Sequence, residues 1–224
     1  MNFNLLTIET SKQASIPVKV LPFRYMAYYI KEIYMALLPK ININNSSKIE
    51  IIFGAKSEDD VEWDNMLGVT SIFVEDFDFK SFYSIPSSAQ ELTILNYIDI
   101  KLQEIVSRTS NQAHTIELIK ETSKKVVETN FALKILIKKL SKGLFNRKYN
   151  INIYRILNRE VGEGWLLEVI DKKESIIYKE WLEETPNYLD RRDYYGKALL
   201  QSNTYVIFNK LGQKTFSVDL SFLK

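Results

Sequence analysis

Between Ser88 and Lys142 the chain has neither proline nor glycine. This stretch restricts the fold more than any other feature, because nothing in its backbone forces a helix to stop. One heptad phase fits all of it. Leu95, Leu102, Thr109, Ile116, Ser123, Asn130, Ile137 and Leu144 fall at a, and Ile98, Ile105, Gln112, Ile119, Val126, Leu133 and Leu140 at d. Eleven of these fifteen are aliphatic. As one helix the stretch would be about 80 Å long at 1.5 Å per residue.

Two arrangements fit. One is a dimeric coiled coil joined through Leu102, Ile105, Ile116, Ile119, Val126, Asn130, Leu133, Ile137 and Leu140, with Asn130 as the polar a residue that fixes register. The other is a helical hairpin folded at Arg108–Gln112, where two consecutive seam positions are polar. The e and g positions carry Ile94, Val106, Ala113, Val127 and Leu136 instead of paired charges, which widens the apolar face beyond a two-helix seam. His114 falls at f, the solvated face, so the chain's single histidine has no place in a catalytic triad.

Before this stretch, NLLTIET, PVKVLPF, KIEIIFGA, GVTSIFVE and FDFKSFYSI read as strands, the last two as a hairpin turning at Glu75 and Asp76. A helix from Phe23 closes at Pro39 and is apolar over most of its circumference, so it packs on a sheet. After the stretch, YNINIYRILN, GWLLEVID and SIIYKEWLE read as consecutive antiparallel strands, NYLDRRDYYGKALLQ as a short helix and TYVIFNKLGQKTFSVDL as a closing hairpin around Leu211-Gly212. The expected class is α+β. An N-terminal mixed α/β segment (1–86) leads into a long helix or helical hairpin (87–142), and a C-terminal antiparallel β-meander with a short helix (143–224) follows.

Composition removes several chemistries. With no cysteine there is no disulfide framework, thiolate zinc site or cysteine nucleophile. The seven glycines contain no P-loop, and Gly162-Glu163-Gly164 lacks the third glycine of a dinucleotide fingerprint and reads as a hairpin loop. No cofactor or metal is expected. The N-terminus does not have the pattern of a signal peptide, and no apolar run reaches the roughly 20 residues that span a bilayer, so a cytoplasmic protein with no membrane contact is expected. A net charge of +2 is too balanced to imply nucleic acid by itself.

The charge is uneven along the chain. Glu58 to Asp78 holds eight carboxylates and no Lys or Arg. Glu58, Asp59, Asp60, Glu62 and Asp64 with Trp63 form a candidate surface for a basic partner, since crowded like charges raise the local potential and an exposed Trp is a natural anchor. An enzymatic alternative starts from Asp78-Phe79-Lys80. A D-x-K on a strand with an acid nearby is similar to the core of the PD-(D/E)xK nucleases. That resemblance implies Mg²⁺ held by Asp78 and Asp64 (or Glu75), with Lys80 activating water. The motif is permissive, and D-x-K recurs at Asp171-Lys172-Lys173. From Lys120 to Lys148 nine basic residues stand against Glu121 and Glu128. Lys138, Lys139 and Lys142 are favourable near a helix C-terminus, and with Arg147 and Lys148 they are also candidate phosphate contacts.

The expected function is therefore non-enzymatic. The chain reads as an accessory or assembly subunit that forms a homo-oligomer through the central helix and offers its acidic segment to a basic protein. A specific version is an immunity-type inhibitor of a nuclease toxin.

Overall fold

The computed structural model describes residues 2–17, 20–109, 112–183 and 188–223. The fold is α+β, and the chain divides into two compact units, Met1–Ala132 and Leu133–Lys224.

The first unit is built on a three-stranded sheet, β1 (Leu5–Thr10), β2 (Lys48–Phe53) and β3 (Val69–Val74), in that order and parallel throughout. Leu5, Lys48 and Val69 share one row, and Thr10, Phe53 and Val74 another. A parallel β1–β2 pair needs a crossover, and helix α1 (Phe23–Leu37) supplies it. Alternation along β2 buries Ile49, Ile51 and Phe53 completely. Around the carboxyl ends of the strands, Phe23 at the start of α1 meets Phe53, Phe77, Phe79 and Phe82, with ring centroids 4.7–5.4 Å away.

FDFKSFYSI does not form the hairpin strand expected from its alternation. Residues Phe79–Ser84 are a short helix, α2. Asp78 caps it, accepting from the Ser81 amide at 3.0 Å and the Ser81 hydroxyl at 2.6 Å. Phe79 and Phe82, spaced i and i+3, then both turn into the aromatic cluster. Two periods compete in these residues, and the cap with the shared phenylalanine pocket selects the helical one. The expected strand at PVKVLPF is also absent at its described residues; Val18 and Lys19 lie outside them.

The glycine-free stretch is a helical hairpin. Helix α3 (Ser87–Ser107) ends next to the polar Arg108–Gln112 segment, and α4 (Gln112–Glu128) follows. The helix does not continue to 142. Asn130 and Phe131 take φ of 51° and 53°, a left-handed exit that Asn tolerates better than most residues. Residues Leu133–Leu136 are a strand, β4. FALKILIKKL is apolar on nearly every side because it enters a sheet, and a heptad template cannot separate that from a buried helical turn.

One polar contact inside the hairpin carries a pH signature. Asp99 of α3 accepts from the Ser123 hydroxyl of α4 at 3.0 Å and from the Gln103 amide at 2.9 Å. Desolvation pushes its carboxyl up from the ordinary value, and the Ser123, Lys120 and Gln103 contacts offset this only in part. A folded-state pKa above the unfolded one means that the native state holds the proton more tightly. This group therefore contributes stability at acid pH, and the contribution fades as pH rises from the unfolded value through the raised folded one. Asp99→Asn is expected to gain stability over wild type progressively as pH rises above about 4. Urea unfolding of both proteins across that range checks it, and a difference independent of pH would contradict it.

The second unit is antiparallel. Strands β5 (Lys142–Leu144), β6 (Tyr149–Asn158), β7 (Gly162–Asp171) and β8 (Ile176–Trp181) join β4 in a five-stranded sheet, ordered β4-β6-β7-β8 with β5 also on β6. Strands β9 (Lys197–Gln201), β10 (Thr204–Phe208) and β11 (Lys214–Asp219) form a second sheet, as the terminal hairpin predicted for two of them. One core takes Ile151, Ile153, Trp165 and Leu167 from the larger sheet and Ala198, Tyr205 and Ile207 from the smaller. The helix expected within NYLDRRDYYGKALLQ is absent. Its described part is an irregular segment followed by β9, and Asn187 lies outside the described residues. Tertiary contacts override the helical spacing here. The Arg191 amide donates to buried Glu163 at 2.9 Å, and Gly196 packs against the Asn209 backbone while its amide bonds Phe208 at 2.8 Å.

Candidate functional site

The acidic segment lies between two parallel strands, in a return of fifteen residues (54–68) that contains no helix. Gly54 opens the return at φ 108°. A Cβ there would stand 2.8 Å from the Ser11 hydroxyl and 3.0 Å from the Ala14 side chain, so glycine is required by both conformation and space. Ser57 and Asp60 then close a turn, the Ser57 amide donating to the Asp60 carboxylate at 2.9 Å.

From Glu62 the segment runs back along the outer edge of β3. The Phe73 amide donates to Glu62 Oε1 at 3.2 Å. Trp63 and Ser71 exchange two bonds, the Trp63 amide to Ser71 Oγ at 2.8 Å and the Ser71 amide to the Trp63 carbonyl at 2.9 Å. The Asn65 amide bonds Thr70 Oγ1 at 3.0 Å, Asn44 donates to Asp64, and Met66 bridges Val69 across a tight turn. A row of unpaired β3 groups would be an aggregation template, and this ribbon covers it. Part of the acidic cluster is thus structural, since the Glu62 and Asp64 carboxylates pin the ribbon to the sheet and to the Asn44 loop.

The rest faces solvent. Glu58 and Asp59 are exposed. Asp60 and Asp78 are held below the usual carboxylate range. The Ser57 amide is the main cause for Asp60, and the Ser81 hydroxyl for Asp78. Both keep their charge into mildly acid solution. Among these acids the ribbon exposes apolar side chains. Val61 is 68% exposed, Trp63 42%, Met66 58% and Leu67 98%. Leu67 also has φ 52°, a conformation that costs a non-glycine residue of order 1 kcal/mol. A greasy side chain at full exposure in a left-handed turn contributes nothing to the core and weakens the fold. The sequence reading singled out Trp63 but missed Val61, Met66 and Leu67. The available signal was Leu67-Gly68 at a turn, where Asn-Gly would be the expected pair.

The structure separates Asp64 from the other residues of the nuclease alternative. Asp64 lies beside the amino end of β3 and Asp78 beyond its carboxyl end, so about 15–20 Å of strand separates them. Asp78 is a helix cap and is not on a strand, and Lys80 sits in the first turn of α2. Asp78, Lys80 and Glu75 do border a cleft of about 360 Å³ with Gln13, Ser15 and Gly54, at the carboxyl end of the sheet. Among the described residues no three His, Asp or Glu side chains come together as a metal-binding group.

Nor is the heptad seam free to join copies. Leu102, Ile105, Ile119 and Val126 are fully buried within their own chain, and Ile116 is partly buried. Asn130 is in the turn after α4, Leu133 is on β4, and Leu140 and Ile137 belong to the core of the second unit. The coiled-coil expectation fails because the same apolar period serves two antiparallel helices and then a strand. His114 is exposed, as its f position implied. Lys138, Lys139 and Lys142 are not at a helix C-terminus. The first two are in the turn after β4 and the third is on β5.

No protein-family model, no curated protein and no solved structure matches the chain. No helix among the described residues is long and apolar enough to cross a membrane.

Proposed function

We propose that this chain is a non-enzymatic interaction protein whose ribbon 58–67 docks a basic protein partner. One observation carries the reading. The ribbon holds Leu67 and Trp63 out of the core, at a cost in stability, within a field of carboxylates. An apolar anchor ringed by charge is the pattern of a protein–protein hot spot, with the acids steering a basic partner and the buried anchor supplying the affinity. Inhibition of a nucleic-acid-cleaving toxin is the most specific form of this reading, because such a toxin presents a basic cleft. Helices α3 and α4 are not part of the proposal, since their apolar seam is consumed within the chain.

The test is site-specific crosslinking. A photo-reactive residue in place of Leu67 is expected to capture one basic protein from the native host. The purified pair should then lose about tenfold or more in affinity with Trp63→Ala. Glu58→Ser with Asp59→Ser should slow association and flatten its salt dependence. If all three substitutions leave the affinity and its salt dependence unchanged, the ribbon only covers the sheet edge.

A further inference from the structure

The net charge of +2 conceals a division between the two units. Met1–Ala132 has thirteen Lys and Arg against seventeen Asp and Glu, a net of −4, and Leu133–Lys224 has seventeen against eleven, a net of +6. The positive charge is concentrated further. From Thr129 to Arg159 there are eight basic residues and no acid.

We propose that the second unit binds the phosphate backbone of single-stranded nucleic acid in a cleft built around Lys142 and Arg147. The cleft, about 440 Å³, is lined by Ser141, Lys142, Gly143, Arg147, Asn150 and Asn152, with no carboxylate among them. It forms where β6 changes partners along one edge. Strand β4 pairs with Leu157–Tyr154 and β5 with Ile151–Tyr149, and the chain between them leaves the sheet as a turn carrying Lys138 and Lys139. That turn is anchored. The Ile137 amide bonds the Ile153 carbonyl at 2.7 Å, and the Leu140 carbonyl accepts from buried Tyr205 at 2.7 Å.

Opposite, the β5–β6 turn holds Phe145, Asn146 and Arg147 at φ of 49°, 53° and 61°, and the Arg147 stem passes over Gly143. A Cβ at Gly143 would stand 3.0 Å from Arg147 Cγ, so glycine gives the arginine its path across the strand. Phe145 packs on the core and ties the turn down. Lys142 and Arg147 line the cleft, and the two anchored turns that lead into and out of β5 carry three further cations, Lys138, Lys139 and Lys148. None of these five cations forms an ion pair with a described residue. Nearby Lys134 differs, since it is bound to Glu168 at 2.8 Å.

Cations held together without acids cost stability through mutual repulsion, and a polyanion relieves it. Three partners carry negative charge: nucleic acid, an acidic protein and an anionic lipid surface. The border favours the first. Its polar side chains are basic, amide or hydroxyl, its one aliphatic side chain, Ile151, is buried, and no exposed aromatic anchor of the kind a protein partner uses stands among them. No exposed large apolar group in 137–152 is available to enter a lipid interface. The side-chain amides of Asn150 and Asn152 carry both donors and acceptors, which phosphates alone do not require and unpaired base edges can use.

Anisotropy of a labelled, mixed-sequence single-stranded RNA with the full chain tests the proposal. Binding should weaken steeply with salt, with a log–log slope near −3.5 for about five phosphate contacts. Lys142→Ala with Arg147→Ala should weaken it by about tenfold or more and reduce the slope by about 1.4. Asn150→Ala with Asn152→Ala should weaken it with the slope unchanged. The control is Lys172→Ala with Lys173→Ala, an equally basic exposed pair in the β7–β8 turn, and it should leave binding as it was. Equal loss in the control would reduce the effect to net charge and overturn the site. Tighter binding to polyglutamate or to phosphatidylserine vesicles, not displaced by RNA, would assign the cleft to another class of partner. Absence of RNA binding at about 50 mM salt, where phosphate contacts are strong, would end the proposal. None of these results bears on the acidic ribbon.

Discussion

Glu163→Leu is expected to destabilise Leu133–Lys224 by about 3–5 kcal/mol, the range for removing one member of a buried ion pair. Glu163 is fully buried on β7 and accepts from Arg155, Trp165 and Arg191. Arg155, across on β6 and 4% exposed, donates through Nε at 2.9 Å and through Nη2 to the same carboxylate oxygen. The Trp165 indole donates at 2.8 Å and the Arg191 amide at 2.9 Å to the other oxygen. Loss of the carboxylate takes one acceptor from a buried guanidinium, an indole N–H and a main-chain amide, and each loss costs free energy. A unit of this size commonly has roughly 5–14 kcal/mol of stability in total, so the loss is a large share of it. Urea unfolding with hydrogen exchange at β6 and β7 reads the effect. Arg155→Met added to Glu163→Leu should recover part of the loss, because the buried charge that lost this carboxylate is then gone. A single-variant cost below about 1 kcal/mol would mean that water reaches the carboxylate.

Phe23→Ala is expected to cost Met1–Ala132 about 3–5 kcal/mol. Phe23 has no exposed surface, and its ring meets four others. Its contacts come from the end of β2, the segment after β3 and the first turn of α2, so the cavity would open where the loops leave the parallel sheet. Edge-to-face geometry adds to the burial term, and a truncated side chain recovers neither contribution. Exchange of β2 and β3 amides should accelerate, while amides of β6 and β7 should not. The converse pattern is expected of Glu163→Leu. Phe23→Leu, which keeps most of the volume, should cost well under half as much. A similar cost for both variants would refute the cavity account.

The strands of the second unit were legible because they alternate cleanly. Asn150, Asn152, Tyr154 and Ile156 face one side of β6 and Ile151, Ile153 and Leu157 the other, as the letters show. The break between α3 and α4 was legible as one of two alternatives, from two polar seam positions in succession; Ser110 and Asn111, within the fold expected at Arg108–Gln112, lie outside the described residues. The end of α4 was not legible, because a left-handed Asn130 and a strand at Leu133–Leu136 fit the heptad phase as well as a helix does. Nor was α2, where Asp78 reads as a strand carboxylate until Ser81 is seen to meet it. The acidic ribbon was visible as charge. Its division into carboxylates that hold a sheet edge and carboxylates that face water depended on which β3 amides lacked a partner.

The sequence by itself determined the local elements and the chemistry that is missing. It specified the α1 helix, helical structure from about Ser88 onward as one helix or a hairpin, the antiparallel run from β6 to β8, the lack of cysteine and the crowding of acids and bases into separate stretches. Periodicity, caps and composition are short-range properties written directly in neighbouring residues. Only the tertiary structure decided that β1, β2 and β3 run parallel, that the aliphatic seam is used up within one chain, that Asp64 and Asp78 lie at opposite ends of a strand, and that Lys142 and Arg147 share a cleft. Each of these depends on contacts between residues distant in the chain, whose free energies outweigh local preferences that are nearly balanced.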